Sequence, residues 1–232
     1  MDPTYSLCGK AFYVNGMTAT REEAKRDCDA IAAKSCSSVE LHHNNTTSSS
    51  DFGAMIAKAA IGAVGLLFAT APRRRSKKRA IVDIGIAVAS TASIASAAHD
   101  YGSIQKRKNA SAVELARKVK AHLVANPLCD VTLIFHSQGA DIGQKALNLL
   151  RDYRFRIRVV TLGAMVTLPE GSARDVTNFR NANDLVSKIA TTFFHAPGKG
   201  TRSTIVLPRA SSPHSVASYL AASRVASELF AG

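Results

Sequence analysis

The sequence predicts an α/β fold with a doubly wound, mostly parallel sheet of about six strands. Short apolar runs with strand character alternate with longer stretches of helical periodicity along most of the chain. Strands separated by helices favour parallel pairing, because the chain must cross over the sheet between two parallel neighbours. A chain of 232 residues is also long enough to bury one substantial core.

The individual elements are predicted from apolar spacing and from local start and stop signals. Thr20 is predicted to open the first helix, because Thr20 and Glu23 have the spacing of a capping box. Further helices are predicted at 111–125, 139–153 and 215–230. Strands are predicted at 11–14, 38–42, 129–135, 156–162, 175–180 and 203–207.

Residues 51–108 are predicted to form an apolar and basic helical insertion between the two parts of the core, 1–50 and 109–232. Stretches 52–72 and 80–98 each approach the roughly 20 apolar residues that span a membrane. Each contains one ionisable residue, Lys58 or Asp83, at a cost of roughly 2.5–3.5 kcal/mol at a membrane centre. A cap over a binding pocket is therefore favoured over a membrane-contacting hairpin, with ordinary helix packing as the third interpretation.

Charge is unevenly distributed along this chain, whose formal net charge is +13. Six basic residues lie close together inside the insertion: Arg73, Arg74, Arg75, Lys77, Lys78 and Arg79. They could hold the protein at an anionic membrane surface. Nucleic acid is not expected as a partner, because no aromatic residues interleave with the run and no known binding module surrounds it.

The cysteines and the chain start bear on compartment and cofactors. The four cysteines have no metal-ligand spacing and are predicted to be reduced thiols, so neither a metal nor a disulfide framework is expected. Residues 1–10 lack the apolar core of a signal peptide. We therefore expect a cytoplasmic protein, which associates with membranes if the insertion contacts lipid.

Ser137 is the most informative residue, because a predicted strand ends and a helix begins around it. Gly139 follows two residues later and leaves room for the helix to pass close to the strand. This strand–turn–helix setting is typical of a nucleophile elbow. Two observations leave an alternative open. Serine is a common helix cap, and Phe135 stands where the Gly-x-Ser-x-Gly pattern has its first glycine.

Asp184 and His214 are candidate partners for this serine. A nucleophilic serine needs a base, and the base needs an acid that fixes its tautomer. Asp184 follows one predicted strand, and His214 lies between the last strand and the last helix, so the order is Ser, Asp, His. Either residue could instead be a helix-capping residue. His195 is the alternative base, and His214 is preferred because it directly precedes the final helix.

An oxyanion hole would complete such a site with two backbone N–H groups. Gln138 is one candidate donor, because it directly follows the serine. Met17 is the other, because Gly16 lets the loop after the first strand turn its peptide inward. An ordinary Asn-Gly turn is the alternative interpretation of that loop.

These pieces together resemble the α/β-hydrolase superfamily, in particular its compact lipase, cutinase and esterase branches. The matching segments span most of the chain outside 51–108: Val14-Asn-Gly-Met17, His136-Ser-Gln-Gly139, Thr161-Leu-Gly-Ala164, Asn181-Ala-Asn-Asp184 and His214. The loop at Val14 and the segment at His43 also resemble uncharacterised proteins of chlamydia-like bacteria, a similarity that implies no chemistry.

The hydrolase resemblance implies acyl transfer to water through an acyl-enzyme on Ser137, with neither a metal nor an organic cofactor. The implied substrate is an acyl ester or a lipid-like molecule. Two alternatives stay open at this point. One is a non-catalytic hydrolase-fold protein that binds a ligand or a membrane, which Phe135 favours. The other is an amidase or peptidase that uses the same three side chains.

Overall fold

A computed structural model describes residues 9–17, 19–35, 38–45, 77–188 and 204–230. The chain divides into two compact units. The first contains Met1–Asn45 and Lys108–Gly232, and the second contains Thr46–Arg107. All of the strands described below belong to the first unit.

The described strands form one six-stranded sheet in which every neighbouring pair is parallel. They are β1 (Lys10–Val14), β2 (Ser38–His42), β3 (Val131–His136), β4 (Ile157–Leu162), β5 (Asp175–Asn181) and β6 (Ile205–Leu207), in the order β2-β1-β3-β4-β5-β6. The predicted sheet is therefore confirmed, and its described part is parallel throughout. Parallel pairing brings the carboxyl ends of all the strands to the same edge, where loops from different parts of the chain can meet.

Five described α-helices accompany this sheet: α1 (Arg21–Ala32), α2 (Lys77–Ala125), α3 (Gly139–Leu149), α4 (Val216–Leu220) and α5 (Ser223–Phe230). On one face, the end of α2 and the whole of α3 pack on the sheet through residues such as Leu115 and Ile142. On the other face, α1, α4 and α5 pack through residues such as Ile31, Tyr219 and Leu229. The sheet is thus covered on both faces, as its apolar strands require.

The predicted start of α1 is confirmed. Thr20 Oγ1 accepts a hydrogen bond from the Glu23 backbone N–H at 3.2 Å, and the Glu23 carboxylate accepts one from the Thr20 N–H at 2.8 Å. These reciprocal bonds satisfy two backbone donors that the helix itself leaves without partners.

The predicted start of the second helix at Ser111 is wrong. The described part of α2 already begins at Lys77 and runs without interruption to Ala125. The segment contains no proline and only two glycines, Gly85 and Gly102, and it is rich in alanine. Residues of high helix propensity therefore continue the helix through 99–110, a mostly polar stretch that precedes the predicted start at Ser111.

Two predicted helices end earlier than their apolar spacing indicates. The helix predicted at 139–153 ends at Leu149, and a 3-10 helix follows at Arg151–Arg156. The helix predicted at 215–230 is divided into α4 and α5. In one continuous helix Val225 would point about 180° away from Val216, because each residue rotates by about 100°. The break lets both residues pack in the same core.

The insertion is described only from Lys77 onward, as part of α2. No helix in the described ranges is long and apolar enough to cross a membrane, and α2 is included in that statement. The stretch 52–72, with Lys58, lies outside the described residues. The cap, the membrane hairpin and the packed-helix interpretations of 51–108 therefore stay predictions.

Candidate active site

Ser137 lies in a strained turn between β3 and α3. Its φ of 52° is the only positive φ of a non-glycine residue in the described part of the chain. Such a conformation is unfavourable for an L-residue and persists only where the surroundings hold it. The Ser137 N–H donates to the Leu162 carbonyl at 3.2 Å, and the Ser137 carbonyl accepts from the N–H groups of Ala140 and Met165. Strand β4 and the first turn of α3 thus fix the turn from two sides.

The side chain of Ser137 does not cap the helix. The N-cap residue of α3 is Gln138, and it makes no side-chain cap hydrogen bond. The Ser137 hydroxyl instead lies 2.9 Å from His214 Nε2. The geometry therefore supports the elbow interpretation of the turn and not the capping interpretation.

His214 is held between Ser137 and Asp184. Its Nδ1 lies 2.9 Å from Asp184 Oδ2 and 3.0 Å from Oδ1. When the carboxylate is ionised it can only accept, so Nδ1 carries the hydrogen and Nε2 faces the serine hydroxyl as an acceptor. Ser215, and not His214, is the N-cap residue of α4. The structure therefore brings the three predicted residues together, with the imidazole in the orientation that a base requires.

Asp184 both contacts His214 and caps a helical turn. Its side chain is completely buried. Oδ1 accepts from the Ser187 N–H at 3.0 Å, which caps the helical turn beginning at Leu185, and Oδ2 accepts from the Tyr219 hydroxyl at 2.6 Å. Burial opposes ionisation, but the hydrogen bonds from His214, Ser187 and Tyr219 more than offset it and lower the pKa of Asp184. The carboxylate is therefore ionised at neutral pH.

Gly163, directly after β4, makes room for this carboxylate. Its φ is +57°, and a Cβ there would lie 2.7 Å from Asp184 Oδ2 and 2.6 Å from the Tyr219 hydroxyl oxygen. Its N–H donates to the Phe179 carbonyl at 2.9 Å and keeps it in register with β5. A side chain at position 163 is therefore excluded, because the backbone is left-handed and because a Cβ would collide with Asp184 and Tyr219.

The loop after β1 lies against the serine. A Cβ on Gly16 would lie 2.9 Å from Ser137 Cβ and 3.1 Å from His136 Nδ1. The φ of Gly16 is not positive, and a side chain at this position would collide with its neighbours. The inward turn of the peptide after Gly16 stays a prediction. Met17 Sδ lies 3.5 Å from Gln138 Nε2. The two predicted oxyanion-hole residues are therefore neighbours beside Ser137.

Buried amides connect this loop to the loop after β2 and to the elbow. The Asn44 N–H donates to Asn15 Oδ1 at 2.6 Å, and Asn44 Nδ2 donates to Gln138 Oε1 at 3.2 Å. Asn15 Nδ2 in turn donates to the Gly16 carbonyl at 2.8 Å. These three amide side chains are at most 3% exposed. Buried, satisfied polar networks of this kind rigidify their surroundings, so the network holds the predicted oxyanion-hole loop in place.

The loop that carries His214 is held at two successive carbonyls. Asn181, the last residue of β5, donates from Nδ2 to the Pro213 carbonyl at 2.7 Å. His136 lies 2.8 Å from the His214 carbonyl through Nε2, so this nitrogen must be the donor. The rings of His136 and His214 lie 5.0 Å apart. The imidazole of His214 is thus fixed through its own backbone as well as through Asp184.

Our sequence reasoning assigned no role to His136, Asn181 or Tyr219. The signal for the first two was their place at the ends of predicted strands, at the same edge as Ser137. Tyr219 was assigned only to a helix, although a buried tyrosine needs a partner for its hydroxyl.

Phe135, the departure from the glycine pattern, is accommodated by Gly143. The Phe135 side chain is completely buried on the α3 face of the sheet. A Cβ on Gly143, one helical turn after Gly139, would lie only 2.3 Å from the Phe135 ring. The space that a large residue needs beneath the elbow is therefore left free by the helix, and Phe135 does not displace Ser137.

His136 is expected to make the stability of the folded protein depend on pH. Burial, with a smaller contribution from nearby His214, lowers the pKa of His136 from 6.5 to about 4. Between about pH 6.5 and pH 4, His136 is therefore protonated in the unfolded chain and neutral in the folded chain. The stability of the wild type is expected to decrease by roughly 2–3 kcal/mol from this residue as the pH falls from about 6.5 to about 4.

The variant His136→Gln is expected to lose this contribution, because glutamine keeps a donor and does not titrate. Denaturant unfolding of both proteins across this pH range measures the difference. Parallel dependence on pH in the two proteins would contradict the expectation.

The remaining predicted residues are only partly described. Arg73, Arg74, Arg75 and His195 lie outside the described ranges, as do Cys8 and Cys36. Lys77, Lys78 and Arg79 form the described start of α2, but their side chains are not described. Contact with an anionic membrane therefore stays a prediction. Cys28 and Cys129 are buried. In the described part of the chain, no group of ligating side chains could hold a metal ion.

The fold and the site define a parallel α/β protein with a hydrogen-bonded Ser-His-Asp chain at the carboxyl edge of its sheet. No model of a known protein family matches the sequence, and comparison with curated proteins and with solved structures finds no significant match.

Proposed function

We propose that this chain is a serine hydrolase of the α/β-hydrolase type, which cleaves an acyl ester through an acyl-enzyme on Ser137. The observation that carries the proposal is the continuous chain from the Ser137 hydroxyl through His214 to Asp184, with contacts of 2.9 Å on both sides of the imidazole. The left-handed φ of Ser137 supports it, because backbone strain of this kind is concentrated at functional sites.

Acylation begins when Ser137 Oγ attacks the carbonyl carbon of the ester. His214 Nε2 accepts the hydroxyl proton as the C–O bond forms, and the carbonyl oxygen becomes a tetrahedral oxyanion. The intermediate collapses by breaking the bond to the leaving alkoxide, which receives the proton from His214 and departs as an alcohol. The acyl group is then esterified to Ser137.

Deacylation repeats these steps with water as the nucleophile. His214 takes a proton from water as its oxygen attacks the acyl carbon, and a second oxyanion forms. This intermediate expels Ser137 Oγ, which recovers the proton from His214. The products are a carboxylic acid and the free enzyme, so the reaction consumes one water and needs no redox partner.

Specific groups stabilise the positive charge on His214 and the negative charge on the oxyanion during the reaction. The ionised Asp184 stabilises the imidazolium form of His214 and keeps its ring oriented. The backbone N–H groups of Gln138 and Met17 are the proposed donors to the oxyanion, and the N-terminus of α3 adds a favourable dipole. The buried amide network around Asn44 supports this assignment, because preorganised donors lower the reorganisation needed at the transition state.

An ester with an apolar acyl portion is the proposed substrate, and an amide is the alternative within the same chemistry. The same three side chains can attack either carbonyl, so the distinction belongs to the assay. The non-catalytic alternative depended on Phe135, which replaces the first glycine of the motif. Because the absence of a side chain at Gly143 leaves room for the Phe135 ring, that alternative loses its main support.

Covalent labelling by a fluorophosphonate probe tests this proposal. The folded wild type is expected to be labelled once per chain, and Ser137→Ala is expected to lose the label completely. Ser227→Ala is the matched control, because Ser227 is exposed on α5 and its hydroxyl bonds only within that helix, to the Ser223 carbonyl. The control should be labelled like the wild type.

Hydrolysis of p-nitrophenyl esters of increasing acyl length, with matched p-nitroanilides, then separates esterase from amidase activity. We expect ester cleavage that increases with acyl length and disappears in Ser137→Ala. A folded wild type that takes up no phosphonate, or a Ser137→Ala protein that is labelled equally, would refute the hydrolase proposal.

A further inference from the structure

We propose that Tyr219 is a positioning residue of this site, which holds the Asp184 carboxylate in the orientation that His214 requires. Its kinetic role rests on the proposed hydrolase function, whereas its hydrogen bond to Asp184 does not. Tyr219 lies on α4, five positions after His214, so one short segment would supply both the base and a second donor to the acid.

The direction of the Tyr219 hydrogen bond follows from its neighbours. The hydroxyl oxygen lies 2.6 Å from Asp184 Oδ2 and 3.3 Å from the backbone nitrogen of Asn181. The Asn181 N–H can only donate and an ionised carboxylate can only accept. The hydroxyl therefore accepts from Asn181 and donates to Asp184, which satisfies a phenol that is completely buried.

Gly163 supplies an independent observation in favour of this pair. Its left-handed backbone and its missing Cβ leave the volume in which the carboxylate and the phenol meet. A side chain at this position would overlap with both partners. The contact between Asp184 and Tyr219 therefore requires a glycine directly after β4.

The contact matters because the carboxylate could otherwise rotate. The Ser187 N–H fixes Oδ1, and Tyr219 fixes Oδ2, the oxygen closest to His214 Nδ1. Without the phenol, Oδ2 would keep His214 as its only side-chain donor and become a stronger acceptor for it. Orientation would be looser, while the bond from His214 would carry more of the negative charge.

Tyr219→Phe removes the donor and keeps the ring. We expect kcat to fall about tenfold with KM unchanged, the effect of one charge-assisted hydrogen bond that orients the base. The downfield proton resonance of His214 Nδ1–H, assigned by its absence from His214→Asn, should move further downfield. This resonance reports on the bond to Asp184 even in a protein without measurable turnover.

Tyr13→Phe is the matched control. Tyr13 is also completely buried, and its hydroxyl donates to a carboxylate, Asp27 Oδ2, at 3.3 Å. Neither kcat nor the His214 resonance should change in this variant. A merely structural role for buried phenols would affect both variants alike and would overturn the inference.

Site-specific replacement of Tyr219 by 3-fluorotyrosine gives a second measurement if Tyr219→Phe does not fold. The fluorinated phenol is more acidic and donates more strongly, so the His214 resonance should move upfield. An unmoved resonance in a folded protein changed at position 219 overturns the role of Tyr219, whatever the activity does. Absence of phosphonate labelling in the wild type would instead refute the hydrolase proposal and leave this comparison valid.

Discussion

Replacing Asp184 by asparagine is expected to lower kcat/KM for an acyl ester by about 10³- to 10⁴-fold. The amide presents N–H groups where the ionised carboxylate accepted from His214 Nδ1 at 2.9 Å. His214 would then carry its hydrogen on Nε2, which faces Ser137, and could no longer accept the serine proton. Steady-state hydrolysis of a p-nitrophenyl ester at pH 7–8 measures the loss.

The fold should tolerate this substitution, because asparagine is also a favourable N-cap residue for the turn at Leu185. Asp27→Asn is the control, since Asp27 likewise accepts a hydrogen bond from a tyrosine but lies on α1. Its kcat/KM should equal that of the wild type. If folded Asp184→Asn retained wild-type turnover, Asp184 would not be the residue that orients the base.

Replacing Gly139 by alanine is expected to destabilise the protein by about 3 kcal/mol. A Cβ there would lie 2.4 Å from the Val14 carbonyl oxygen and 2.9 Å from that of Asn15. Both contacts are with backbone, which cannot move aside as a flexible side chain would. Helix α3 would have to shift away from the end of β1, and this outweighs the roughly 1 kcal/mol that alanine gains over glycine in a helix.

Gly171→Ala provides the comparison, because nothing lies within 4 Å of a Cβ at that position. Its free energy of unfolding should stay within about 0.5 kcal/mol of the wild type. Urea unfolding of the three proteins at one pH gives the two differences. Equal stabilities of the two variants would mean that α3 does not approach β1 as closely as described.

The parts of the site that follow from local pattern could be predicted from the sequence. Ser137 stands between a strand pattern and a helix pattern, and His214 stands between the last strand and the last helix. In a parallel sheet these places lie at one edge, so proximity follows from topology. The capping box at Thr20 is local in the same way.

The residues that our prediction missed depend on contacts between distant segments. Tyr219 meets Asp184 only because α4 packs beside the end of β5, and the reason for Gly163 appears only when that pair is in place. The length of α2 was missed for a different reason. A polar segment without proline does not end a helix when the residues on both sides favour it.

Under the proposed function, the pairing of Phe135 with Gly143 changes how elbow motifs should be recognised in other sequences. The space beneath the turn can be kept free in two ways. One is a glycine on the strand, two positions before the nucleophile, and the other is a glycine on the helix, six positions after it. A search for the five-residue pattern Gly-x-Ser-x-Gly misses sequences that have the glycine on the helix instead. Replacing Phe135 by glycine alone would restore the familiar motif but leave a hole beneath the turn.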